Sequence, residues 1–121
     1  MTDSKNSNIF VYGSLRKGMY NYKAFKKGMQ YVDTKPVKGF EMYSLGSFPF
    51  VVPKEDEQVI VDHMVVDEIT KQRIDSMEMG AGYKAKEIEI DGVKGTIYYF
   101  NRITRNKGKV ENGDWVEYNE T

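Results

Sequence analysis

The segment Ile9-Phe10-Val11-Tyr12-Gly13-Ser14-Leu15-Arg16 constrains this chain more than any other. Four consecutive apolar residues leave no polar face, which suits a strand covered on both sides. Gly13 then ends the run in a turn, and polar and basic residues follow. A strand end of this kind can aim several backbone N–H groups at one point, where they hold a carboxylate or a developing oxyanion. The turn is not a P-loop, because the glycine and Lys-Ser/Thr spacing is absent.

A chain of 121 residues has room for one hydrophobic core. Residues 1–8 read as a flexible polar tail and residues 9–121 as a single domain. Lys and Arg together number 18, as do Asp and Glu. That balance argues against a nucleic-acid binder, whose affinity would rest on neutralising phosphates. The basic clusters Lys26-Lys27 and Arg105 to Lys109 read as solvated loops. The sequence contains no cysteine, which removes disulfides, thiol nucleophiles and thiolate metal sites. The polar N-terminus lacks the apolar core of a signal peptide, and no apolar run approaches a membrane span. The expectation is a cytoplasmic protein with no membrane partner.

Further along, Tyr22, Phe25 and Met29 recur at spacings of three and four, predicting a short amphipathic helix over Met19–Met29. Strands are predicted around Phe40–Tyr43 and at Phe50–Val52, the latter closed by Pro53 and an acidic loop from Lys54 to Gln58. The β-branched run Val59–Val66 is another strand. Asp67 then caps a helix whose apolar side is Ile69, Ile74 and Met77. Lys86–Ile90 and Gly95–Phe100 form a hairpin about Asp91-Gly92. The remainder, from Asn101, is polar apart from Val110 and the Trp115-Val116-Tyr118 cluster. About six strands and two short helices make an α+β domain, a small mixed β-barrel with helices packed outside.

Few residues here can carry chemistry. His63, the one histidine, lies in a strand-like run beside no elbow serine, so a structural or surface role outweighs catalysis. A transition-metal site has little support, and the acidic loop Glu55-Asp56-Glu57 is explained by solvation. Glu78 follows Ile74 by four positions and shares its helix face. A carboxylate at the edge of an apolar stripe can point inward, where desolvation raises its pKa and makes it a better base. Helix geometry alone favours an ordinary, solvated helix-end glutamate.

Taken in order, several motifs resemble the γ-glutamylcyclotransferase-like superfamily, and within it the γ-glutamylamine cyclotransferase, AIG2-like branch. They are Tyr12-Gly13-Ser14-Leu15, Ser47-Phe48-Pro49, Ile74-Asp75-Ser76-Met77-Glu78 followed by Tyr83-Lys84, and Gly113-Asp114-Trp115. The resemblance spans residues 9 to 118. Two positions depart from it: Met79 replaces the glycine that usually follows the glutamate, and Val61 stands where the preceding strand often has glycine. The implied reaction closes an L-γ-glutamyl group on itself, giving 5-oxoproline and a free amine. Glu78 would be general base and then acid, while the backbone of Tyr12, Gly13, Ser14 and Leu15 grips the glutamyl moiety and Tyr83 positions substrate. Arg16 either faces the substrate carboxylate or lies in solvent. Such chemistry needs no metal or cofactor. The alternative is a non-catalytic module that binds a small ligand on the same fold, and a third possibility is a structural or partner-binding scaffold. The leaving amine, the effect of Met79 and the oligomeric state stay open.

Overall fold

Alternation along the central strand divides the protein into two cores. In the computed structural model, which describes residues 6–103 and 108–120, β1 (Ser7–Val11) sends Ile9 and Val11 to one side and Phe10 to the other. Ile9 and Phe10 are completely buried, as the apolar run required. β1 begins at Ser7, two residues inside the expected tail, and Asn8 donates to Lys94 O across the sheet.

β1 lies antiparallel to β3 (Pro49–Val66) and parallel to β5 (Val93–Tyr99). β2 (Met29–Ser44), β4 (Lys84–Ile90) and the short β6 (Gly108–Val110) complete a mixed sheet in the order β4-β5-β1-β3-β2-β6, curled into a half-barrel. One face packs Ile9, Val11, Phe50, Val52 and Met64 beneath two helical segments. These are α1 (Tyr22–Phe25), continued by a 3₁₀ turn to Gly28, and α2 (Glu68–Gly80). The other face encloses Phe10, Met42, Val51, Val59, Val61 and Ile97 with Trp115 from α3 (Trp115–Glu120).

The strand count matches the expectation, but the strands differ. Phe50–Val52 and Val59–Val66 belong to one strand, β3. The acidic residues between them bulge outward, because Lys38 pairs with Gln58 and Phe40 with Pro53. One residue of β2 therefore faces four of β3, and Asp56 takes a positive φ within the bulge. β2 also starts eleven residues before Phe40. Its first part carries Asp33, Lys35, Pro36 and Lys38, which hid it from a hydrophobic pattern. β6 borders β2 only at Met42–Ser44, so the earlier stretch is an edge, where charges and proline are tolerated.

The helix expected over Met19–Met29 shrinks to α1 and its 3₁₀ turn, although Phe25 and Met29 are buried as the spacing implied. In α2, Asp67 Oδ1 accepts from Thr70 N at 2.8 Å, and Ile74 is fully buried. Ile69, however, is 71% exposed, and Thr70 takes its place in the interior. Asp91 and Gly92 both adopt positive φ, the requirement of a two-residue hairpin of the primed type. Of the C-terminal basic cluster, residues 105–107 lie outside the described residues, while Lys109 in β6 pairs with Glu41 and Glu57. Among the described residues no helix is long and apolar enough to cross a membrane.

The C-terminal motif docks through backbone. Gly113 has φ +68°, and its carbonyl accepts from Ile60 N at 2.8 Å. A Cβ there would sit 2.4 Å from Gln58 O and 2.8 Å from Val59 Cα. Gly113→Ala should therefore lose about 2 kcal/mol or more, the left-handed backbone alone costing roughly 1–2 kcal/mol. Urea denaturation of the two proteins checks this, and an unchanged midpoint would show that the contact is not tight.

Candidate active site

The loop leaving β1 is built around Gly13. A Cβ at that position would lie 2.9 Å from Pro49 Cγ and 3.0 Å from Cδ, so only glycine lets the loop close on the Phe48-Pro49 element. Phe48 and Pro49 are themselves presented by the β2–β3 turn, in which Leu45 N donates to Phe48 O at 2.8 Å. Arg16 N donates to Gly13 O, and Asn21 N and Tyr22 N both donate to Ser14 O. Asn21 Nδ2 adds a bond to Ser14 Oγ at 2.7 Å. The carbonyls of Gly13 and Ser14 are thereby occupied. Among the described residues, the N–H groups of Gly13, Ser14 and Leu15 donate to no protein acceptor.

Glu78 stands at the end of α2, opposite this loop. Its carbonyl accepts from Ala81 N and Tyr83 N, both at 3.1 Å, which turns the chain sharply toward Tyr83. Between loop and helix lies a cavity of about 210 Å³, lined by Tyr12, Gly13, Ser14, Leu15, Glu78 and Tyr83. Asn21, Phe48, Pro49, Met77 and Tyr98 contribute to the same walls. All six residues singled out in the sequence thus meet around one space. Glu78 is the one charged side chain among the lining residues. Loss of water around its carboxyl raises its pKa from 4.5 to about 7.

The tyrosines of the cavity offer rings rather than hydroxyls. Tyr12 Oη donates to Tyr98 O at 2.6 Å and Tyr83 Oη to Pro49 O at 2.5 Å. Burial pushes both phenols above their usual pKa, and the nearby Glu78 carboxylate adds to the effect. Met79 does not line the cavity and is half exposed. It lies within the helical span of α2, a backbone that any residue adopts, so its departure from glycine is accommodated.

Arg16 overturns both readings of it, since it neither lines the cavity nor faces solvent. It is 6% exposed, with Nη1 2.8 Å from Asp114 Oδ1 and Nε 3.3 Å from Asp62 Oδ1. Asp62, also buried, accepts from Lys17 N and Thr34 Oγ1. His63 lies away from the cavity, its Nε2 2.8 Å from Asn8 Oδ1, and burial lowers its pKa. Among the described residues no three of His, Asp and Glu converge as metal ligands. Asn21, Phe48 and Tyr98 were not singled out as site residues. Phe48 had the Phe-Pro element as a signal, whereas Tyr98 is one of nine tyrosines and carries no local mark.

The six-stranded half-barrel with its short helices has the γ-glutamylcyclotransferase-like fold. The family model described as gamma-glutamyl cyclotransferase, AIG2-like, matches residues 9–117. The chain belongs to that family. A relative from Methanocaldococcus jannaschii, named "Putative gamma-glutamylcyclotransferase MJ1514", is 34% identical over 116 residues, covering 91% of this chain and 96% of its own. The crystal structure of an uncharacterized protein from Pyrococcus horikoshii superposes with a TM-score of 0.82 at 26% identity, covering 94% of this chain and 93% of that one. A mouse AIG2-like protein shares the fold, with a TM-score of 0.66 at 20% identity over 84% of this chain and 80% of its own.

The raised pKa of Glu78 has a thermodynamic sign. An unfolded glutamate releases its proton near 4.5, the folded one near 7. Between those values the folded protein holds more protons, so stability falls as pH rises through the window. Glu78→Gln removes this ionisation. Its Tm should exceed that of the wild type at pH 8, and the difference should narrow as pH falls to 4.5. A difference that stays flat across that range would show that the carboxyl is well hydrated.

Proposed function

We infer that the protein converts an L-γ-glutamyl amine or γ-glutamyl peptide to 5-oxoproline and a free amine. The observation that carries this reading is the placement of one desolvated carboxylate and three unpaired backbone donors around a single small cavity. The α-amine of the glutamyl group is the nucleophile and its own γ-carbonyl the electrophile. The C–N bond that forms closes a five-membered ring.

The protein's first task is to fold the flexible glutamyl chain into its attack conformer. Well-oriented intramolecular reactions reach effective molarities of roughly 10⁵–10⁸ M, and a narrow, ring-lined cavity favours the compact form. The α-amine attacks in its neutral form, and Glu78, with a pKa near 7, takes the proton that its nitrogen sheds as the new C–N bond forms. The amides of the Gly13–Leu15 loop receive the charge that develops on the carbonyl oxygen, where one donor is typically worth about 3–4 kcal/mol. Collapse of the tetrahedral intermediate breaks the original amide C–N bond. Glu78 then returns its proton to the departing amine, and the active site regains its starting charge.

The test is mass-spectrometric detection of 5-oxoproline from a panel of γ-glutamyl amines and dipeptides. Glu78→Gln should reduce turnover by about 10²–10⁴-fold, the usual worth of a positioned base, with fold and ligand binding retained. The acid limb of kcat/KM should fall with a midpoint near 7, where Glu78 gains its proton, rather than near the ordinary carboxylate value. Full activity in the variant would sink this mechanism. Ligand binding without 5-oxoproline release from any member of the panel would point instead to a small-ligand-binding module.

A further inference from the structure

Tyr98 links two other side chains, one through its backbone and one through its hydroxyl. Its carbonyl receives the Tyr12 hydroxyl at 2.6 Å, and its own hydroxyl donates to Asp75 Oδ1 at 2.5 Å. Asp75 lies one turn before Glu78 on α2, close to the same face. Lys71 Nζ donates to both Asp75 oxygens, at 2.9 and 2.8 Å, and keeps that carboxylate in place as an acceptor. A bonded path therefore runs from the loop that begins at Tyr12, through β5, to the helix that bears Glu78.

α2 has need of such a tether. Its buried residues are Thr70 and Ile74, both in the first two turns. Ile69 is largely exposed, Met79 half exposed and Met77 half buried. Apolar packing is concentrated at the start of the helix, and in its last turn Met77 is the residue that packs against the core. A hydrogen bond to a carboxylate is directional and about twice as strong as a neutral one, and the Tyr98–Asp75 bond acts next to that last turn.

We propose that Tyr98 and Asp75 are positioning residues that set the separation between the loop amides and the Glu78 carboxyl. They act through Tyr12 and Glu78 rather than on the reacting atoms. The inference rests on reading Glu78 as the base. It adds the device that keeps Glu78 inside the cavity, facing the rings of Tyr12, Tyr83 and Tyr98.

Three variants of the full chain test it: Tyr98→Phe, Asp75→Ala and Asp75→Asn, each first shown by circular dichroism to be folded. Two readouts are taken, steady-state kinetics of 5-oxoproline release and the ¹³C titration of the Glu78 carboxyl. Tyr98→Phe and Asp75→Ala should each lower kcat by about tenfold or more, since a displacement of about 1 Å can cost 100-fold, with KM changed by less than about threefold. In both, the Glu78 midpoint should fall from about 7 toward 4.5 as the carboxyl meets water. Asp75→Asn keeps an acceptor for the Tyr98 hydroxyl and should retain most activity. The double variant Tyr98→Phe with Asp75→Ala should be no worse than either single one, because both remove the same bond. Tyr98→Phe with unchanged kcat and an unchanged Glu78 midpoint would overturn the proposal. A wild-type protein that releases no 5-oxoproline would sink the cyclotransferase reading. In that case, a Glu78 midpoint that falls in Tyr98→Phe would still support the positioning role, and one that stays put would overturn it as well.

Discussion

The buried guanidinium of Arg16 ties together three parts of the chain that are far apart in sequence. It follows the glycine loop directly, and its ion pairs reach Asp62 in the second half of β3 and Asp114 just before α3. Removing these charges from water carries a large penalty, which is offset only because each carboxylate has further partners. Asp62 also accepts from Lys17 N and Thr34 Oγ1, and Asp114 Oδ1 from Glu117 N. The loop that presents the free amides is therefore bolted at its far end to the centre of the sheet.

From this anchor the two halves of the site acquire different characters. The loop side is rigid backbone, determined by β1, by the ion pairs and by the close approach to Pro49. The helix side depends on few buried residues and on polar bonds between side chains. Tyrosine serves both halves, since its ring fills apolar volume while its hydroxyl finds a distant acceptor. In this way the rings line the cavity without leaving their hydroxyls unpaired, and Glu78 remains the one charged side chain there.

Much of this was legible in the sequence wherever a residue's own pattern dictates its place. The apolar run before Gly13 could only be a covered strand, Asp67 could only cap, and Asp91-Gly92 turned as such pairs do. The spacing of Ile74 and Glu78 put both on one helix face, although whether Glu78 faced inward came only from the family resemblance. What escaped was set by partners distant in the chain. Arg16 looked solvated because charge usually is, yet two aspartates at positions 62 and 114 draw it inside. The early part of β2 carried no strand signal, because its hydrogen-bonded neighbour, not its composition, makes it a strand. Ile69 appeared to belong to the helix stripe, but the 3₁₀ turn at Gly28 packs over Thr70 instead. Tyr98 and Asp75 gain meaning only as a pair, and no local signal joins them.

The half-barrel leaves two strand edges open, and its sequence deals with each. The outer stretch of β2 carries Asp33, Lys35, Pro36 and Lys38, and the bulge opposite Gly39 breaks its line. β4, at the other border, exposes Lys84, Lys86, Glu87 and Glu89. Charges and a proline on an edge discourage an incoming strand from another molecule. The polar character that concealed β2 from pattern reading thus guards an unclosed sheet against stacking into aggregates, and substitutions that smooth either border toward apolar residues trade that protection away.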